Sequence, residues 1–218
     1  MYRSYELDTT AAKKADEKSA RINTTGVYIG SFKHAIARKS PVKGTEGVEL
    51  HFETTDKQEA RLTLWTFKGN GEPLSGFNIL QAILTCLQIR GIKASSTRIE
   101  LYDPASGGKT FQDVNQYLDL VGKPIGLLLQ LAPEEYMKQG VLAVANKLDI
   151  YGVFQSSSNL VASEILGRVV QGEKLDKMKA ALKDRPLKKL TAQPQSNSAG
   201  YGAPPSNGFD DFEDDIPF

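Results

Sequence analysis

Gly47-Val48-Glu49-Leu50-His51-Phe52-Glu53-Thr54 alternates without a break: Val48, Leu50 and Phe52 fall on one face, and Glu49, His51 and Glu53 on the other. Period two marks a strand with one face buried and the other wet. Ala60 to Phe67 repeats the pattern, setting Leu62 and Leu64 against Arg61, Thr63 and Trp65. The link Thr55-Asp56-Lys57-Gln58 reads as a hairpin loop. Upstream, Val27 to Arg38 is rich in β-formers and ends at Ser40-Pro41, which predicts a strand before these two. Downstream, Gly69-Asn70-Gly71 and Pro73 make a turn, and the period then changes. Phe77, Leu80, Leu84 and Leu87 recur at helical spacing, with Ile79, Ile83 and Cys86 widening the stripe. Ser75 is placed to cap this helix and Gly91 to end it.

Phe111, Val114, Tyr117, Leu118 and Val121 predict a second helix, stopped by Gly122 and Pro124. Ile125 to Leu131 is a short apolar run suited to a buried strand. Val141 to Phe154 reads as extended, with Leu148, Ile150 and Phe154 on one side. Leu160 to Leu166 and Leu175 to Leu182 read as helical. The order is three strands, helical material, then two strands. It predicts a mainly β chain with helices: a five-stranded Greek-key oligonucleotide-binding (OB) barrel with a helical insertion between strands 3 and 4. A small β-sandwich with attached helices competes. Residues 1–25 are a polar N-terminal arm, of which 6–25 suit either a short solvated helix or a loose arm. Residues 26–190 form the OB-like domain. Residues 191–208 are mostly Gln, Ser, Asn, Gly, Ala and Pro, too polar to offset ordering entropy, and read as a disordered, flexible linker. Residues 209–218 are an acidic tip. There are no internal repeats.

The chain has 218 residues and one cysteine, Cys86, so an internal disulfide is excluded. No apolar run is long enough to span a membrane. Met1 to Glu6 lacks the apolar core of a signal peptide, and the expected location is the cytoplasm. The formal charge of +1 hides an asymmetry. No Lys or Arg follows Lys189, while Asp210, Asp211, Glu213, Asp214 and Asp215 do. Without those five acids, 27 basic residues face 21 acidic ones, a body of about +6. Such a body can hold a polyanion that the tip repels.

The last ten residues read Phe209-Asp210-Asp211-Phe212-Glu213-Asp214-Asp215-Ile216-Pro217-Phe218. This segment resembles the acidic tip of bacterial single-stranded DNA-binding proteins, including the Asp-Asp-Ile-Pro-Phe ending. The resemblance covers the tip, and the linker by composition. The body diverges from the bacterial family, in the manner of a version carried by bacteriophages in an infected bacterial cell. The resemblance implies an OB domain that binds and protects single-stranded DNA with little sequence specificity during replication, recombination or repair. It also implies that the tip docks on the proteins of those processes. Physical chemistry supports the docking role. Phe218 joins an aromatic anchor to a carboxylate, and capture of a terminal carboxylate is a known recognition mode. Pro217 restricts the backbone beside the anchor, Ile216 adds apolar area, Phe212 belongs to the same segment, and the acids steer encounters with basic patches.

Single-strand binding needs cations along the backbone path and aromatic faces for bases. Trp65, the only tryptophan, lies by alternation opposite Leu62 and Leu64, beside Arg61, and Phe67 and Lys68 continue the line. The first strand offers Tyr28, Phe32, Lys33, His34, Arg38 and Lys39, with Lys43 in the following loop. Lys174, Lys177, Lys179, Lys183, Arg185, Lys188 and Lys189 form a further basic group, suited to phosphate, to the acidic tail or to plain solvation. Gly107-Gly108-Lys109-Thr110 imitates the end of a phosphate-binding loop, yet Asp103 stands where the earlier glycine belongs, so it reads as a loop. His34, His51 and Cys86 lack metal-ligand spacing, and no catalytic pattern, metal or cofactor is expected. The competing functional reading is a decoy protein that occupies host tail-binding pockets without binding DNA. A nuclease or recombination enzyme with a recruitment tail is the third. The oligomeric state is open, a homo-oligomer included.

Overall fold

Val48, Leu50 and Phe52 point into the core from strand β2 (Glu46–Thr54), and Leu62 and Leu64 join them from β3 (Glu59–Phe67). The two strands are antiparallel, with Leu50 opposite Leu62 and Val48 opposite Leu64, so each apolar face meets its like. The structure is a computed structural model that describes residues 7, 9, 21–103 and 106–190. Most of the 1–25 arm, the linker at 191–208 and the tip at 209–218 lie outside the described residues.

Strand β1 (Gly26–Lys39) is shared among three neighbours. Gly30 to Lys39 pair with β2, Gly26 to Ser31 pair with β6 (Pro124–Lys138), and Ile36 pairs with Gln116 of β5 (Gly108–Gln116). Strand β6 pairs in turn with β7 (Val141–Phe154), and β5 with β4 (Ser95–Asp103). All these pairings are antiparallel and join seven strands in one sheet that branches at β1. The chain is therefore mainly β.

Helix α1 (Ser75–Cys86) packs on β3 and β7 and buries Leu80, Ile83, Leu84 and Cys86. A side chain at Gly76 would collide with the Trp65 carbonyl, so glycine lets the first turn lie against β3. The capping residue is Leu74, with no side-chain cap, rather than Ser75, and the helix stops at Cys86, before Gly91. Burial of the apolar stripe, not capping, defines this helix.

The expected second helix is absent. Gly108 to Gln116 form β5, followed by a single 3₁₀ turn at Leu118–Leu120. The insertion after β3 is thus one helix and one β-hairpin, and the sheet has seven strands instead of five. Phe111 and Val114 do not share a face: Phe111 is exposed, while Val114 packs with Ile36, Ile99 and Leu101 in a small separate core. Gly107 takes the left-handed conformation (φ 68°) in the turn of this hairpin, but Gly108, Lys109 and Thr110 pair with Asp103, Tyr102 and Leu101, so of 107–110 only the first residue is loop and the rest open β5.

Strand β6 extends past its partnership with β1. From Gln130 to Lys138 it pairs only with β7 within the named strands, and the two form a projecting arm. Helices α2 (Ala162–Leu166) and α3 (Lys174–Ala181) follow, with Val161 and Leu175 packed on Leu128 and Phe154. The chain then runs along the open edge of β6. The Arg185 N–H donates to the Leu131 carbonyl at 2.8 Å, Lys188 to Pro133 at 2.9 Å, and Glu135 to Lys188 at 2.9 Å. Among the described residues no helix is long and apolar enough to cross a membrane.

Candidate nucleic-acid interface

The outer face of β1, β2 and β3 is built from three cross-strand rows. Register aligns His34, His51 and Arg61; then Ile36, Glu49 and Thr63; then Arg38, Gly47 and Trp65. In β2 and β3 the rows follow from alternation, because the flanking Val48, Leu50, Phe52, Leu62 and Leu64 fill the core, while Ile36 in the middle row is itself covered by Ile99 and Leu101 of β4.

Glu49 sits at the centre of this face and is almost fully buried. Arg38 Nε donates to its Oε2 at 2.9 Å, and Arg61 Nε to its Oε1 at 2.7 Å. Nε2 of His51 lies 2.6 Å from Oε1, which assigns the proton to that nitrogen if the carboxylate is the acceptor. Burial pushes the Glu49 carboxyl up, but the hydrogen bonds from His51, Arg38 and Arg61 outweigh it and hold the group at about 2. One anion thus fixes two guanidinium groups on either side of it. The Arg61 side chain is still 62 % exposed. His34 places Nδ1 3.1 Å from Gln116 Oε1, and its ring meets that of His51 edge-on, with centroids 5.5 Å apart. Burial lowers the pKa of His34.

Trp65 is half-buried on this outer face. A Cβ on Gly47 would come within 2.9 Å of its Cε3, so the glycine leaves room for the indole to lie across β2. Phe67, also half-buried, leans toward Phe77 of α1, with ring centroids 5.1 Å apart. The face therefore brings together Arg38, Arg61 and Trp65, with Phe67 and Lys68 at one end.

Other expected contact residues sit elsewhere. Phe32 is 0 % exposed and packs edge-on against Phe52 at 5.9 Å, so its ring is core and offers no face to a base. Tyr28 packs against the same core, with its hydroxyl bonded to Thr24. The reason is a β-bulge between Phe32 and His34. Lys33 is the extra residue, so the inward parity of Tyr28 and Phe32 becomes outward parity for His34, Ile36 and Arg38. Lys33 itself binds Glu53 at 2.9 Å and Glu59 at 3.0 Å, and those bonds raise its pKa. Lys39 pairs with Glu46 at 2.9 Å and Lys68 with Glu72 at 3.1 Å. Lys43 is exposed in the turn after β1, with its backbone against Gly69. Exposed pairs of this kind contribute about 0–1 kcal/mol each, so a phosphate can exchange with the carboxylate at small cost.

In the later basic group, Lys177 pairs with Glu173, Lys179 with Asp176, Arg185 with Asp149 and Lys188 with Glu134, each at 3.1 Å. The nine residues Asp210 to Phe218 lie outside the described residues. Cys86 is buried in the core, and burial pushes its thiol up to about 12. Among the described residues, no group of three or more His, Cys, Asp or Glu is placed to hold a metal ion.

Alternation alone leaves Glu49 on the solvent side of its strand, whereas the fold buries it among Arg38, His51 and Arg61; the glycine opposite Trp65 is the sequence signal for the close approach there. The hairpin of β4 and β5 also carries exposed Tyr102 and Phe111, with the Arg98 guanidinium carbon 5.9 Å from the Phe111 ring centroid. Neither a protein-family model nor a curated protein sequence matches the chain.

Proposed function

We propose that this chain binds single-stranded DNA across the outer face of β1, β2 and β3, with little sequence preference, and recruits DNA-processing proteins through its C-terminal tip. The observation that carries the DNA half is the juxtaposition of Trp65 with Arg38 and Arg61, spaced by a buried carboxylate. An indole offers a stacking surface to any base, and the flanking guanidinium groups meet the phosphates. The tip half rests on the sequence of residues 209–218.

The connectivity favours an OB barrel as the scaffold. Strands β1, β2, β3, β6 and β7 supply five strands, with β1 paired on both sides, α1 inserted after β3, and β3 approaching β7. This barrel would carry the β4–β5 hairpin as an addition to the five-stranded plan. Such folds commonly present nucleic acid on the strand 2–3 face. On this reading the protein works in the cytoplasm of a bacterial or phage-infected cell, as a binding protein and not an enzyme.

Titration with oligo-thymidine at low salt tests it, because Trp65 is the only tryptophan and reports directly on the face. Quenching by single-stranded DNA, weakened by salt, is expected. Absence of binding, or equal binding to duplex, refutes the DNA role; a parallel RNA titration defines the sugar preference. One observation favours the decoy reading: Arg38, Arg61, Lys33, Lys39 and Lys68 are all already paired with carboxylates. Under that reading the body is inert to DNA while residues 210–218 still bind partners.

A further inference from the structure

The β6–β7 arm has one edge covered and one edge bare. Residues 185–188 of the same chain run along β6 and donate or accept three backbone hydrogen bonds there. On the other side, β7 pairs with no strand but β6 among the described residues, so Val141 to Asp149 present an open edge. In an antiparallel pair, about every second residue of an edge strand directs its N–H and C=O outward. Proteins usually blunt such edges with charge, proline or a bulge, because an open edge recruits another strand.

The stretch Val141 to Ala145 of this edge is apolar instead, and the charges of the edge, Lys147 and Asp149, come only after it. Val141 is 68 % exposed, Leu142 55 % and Val144 54 %, and Met137 opposite Leu142 is 50 % exposed. The charges of the arm are largely satisfied within the chain. Lys147 and Lys188 both bind Glu134, Arg185 binds Asp149 at 3.1 Å, and Glu135 accepts the Leu190 N–H at 3.0 Å. A surface of paired charges and bare apolar residues suits a protein strand rather than a polyanion.

We propose that residues 141–149 are a self-association edge: two copies of this chain pair their β7 strands, antiparallel about a two-fold axis, and form one continuous sheet. Self-pairing about such an axis requires a residue to face itself at the centre. Centred on Ala145, the register puts Leu142 opposite Leu148, Ala143 opposite Lys147, Val144 opposite Asn146 and Val141 opposite Asp149. Centred on Ala143, it puts Leu142 opposite Val144 and Val141 opposite Ala145. Neither register sets like charges against each other, which is the condition an isologous strand pair must meet. The inference is independent of DNA binding, because the arm lies outside the Trp65 face.

Sedimentation velocity of the full chain across the micromolar range tests it. The wild type should sediment as a dimer. The double substitution Leu142→Lys, Val144→Lys should weaken the dimer at least tenfold and leave the thermal midpoint of the monomer fold unchanged, because both side chains are already exposed. Independently, Ala143→Cys or Ala145→Cys should give a disulfide-linked dimer on mild oxidation, with Cys86 too buried to compete. A wild type that is monomeric throughout overturns the proposal. So does a dimer that survives both lysines, or one that neither cysteine cross-links.

Discussion

Replacing Glu49 with glutamine removes the charge at the centre of the outer face while keeping its shape. In the fold the carboxyl sits at about 2, against 4.5 for the free side chain. At 1.36 kcal/mol per pKa unit this gap corresponds to about 3 kcal/mol, and solvent around the exposed Arg38 and Arg61 side chains reduces it to about 2 kcal/mol. The folded value is the lower one, so the contribution is complete above the unfolded value of 4.5 and disappears as the pH falls through 2. Glu49→Gln should therefore cost about 2 kcal/mol near neutral pH, and the difference from wild type should shrink steadily as the pH falls below about 4. Urea unfolding followed by Trp65 emission, with both proteins measured at matched pH values, reads this out. Comparing the two cancels the titration of every other carboxylate. A penalty of equal size at neutral and acid pH would show that packing, not charge, is what Glu49 supplies. A penalty below about 0.5 kcal/mol would show that the three hydrogen bonds are no better than those of an exposed pair.

Trp65→Ala should weaken single-strand binding by about 1–3 kcal/mol, the range for a stacked base, with Trp65→Phe recovering part of it; unchanged affinity in a filter-binding titration would remove Trp65 from the site. Phe32→Ala should instead lower stability by about 3–5 kcal/mol in thermal or chemical unfolding, as a core truncation does, and a small effect would contradict its burial. Removing Asp210 to Phe218 should raise DNA affinity at low salt and abolish partner recruitment, whereas Phe218→Ala should impair recruitment alone. A truncation that lowers DNA affinity would sink the competition between tip and DNA.

Where alternation was clean and one face was buried, the sequence was a sufficient guide. Leu50, Phe52, Leu62 and Leu64 lie in the core as their spacing required, and Leu80, Ile83 and Leu84 define the buried stripe of α1. The hairpin of β4 and β5 escaped for a physical reason. Phe111, Val114 and Tyr117 stand three apart, which suits a helix only when all three face inward, yet Phe111 faces solvent. The alternation of Thr97, Ile99 and Leu101 in β4 was the better signal, since Ile99 and Leu101 are both buried. The site was legible in residue types and less so in geometry. A single extra residue at Lys33 reverses the parity of β1, so Phe32 and Arg38 point to opposite sides although an unbroken strand would align them. The role of Glu49 also required the fold, because its three partners come from residues 38, 51 and 61.

The sharing of β1 between distant partners sets a timetable for synthesis. Gly26 to Ser31 pair with residues 124–129, roughly a hundred positions later, so that edge waits for about 5–20 s at typical elongation rates. During that interval β1, β2 and β3 can assemble as a meander, but their inner face lacks Ile125, Leu127 and Leu129. Long-range pairing of this kind slows folding and leaves an unfinished sheet open to other chains. The nascent protein should thus be most vulnerable to capture by chaperones between completion of β3 and emergence of β7. Protection of Phe32 and Phe52 from labelling on stalled ribosomes should appear only after residue 154 has left the exit tunnel.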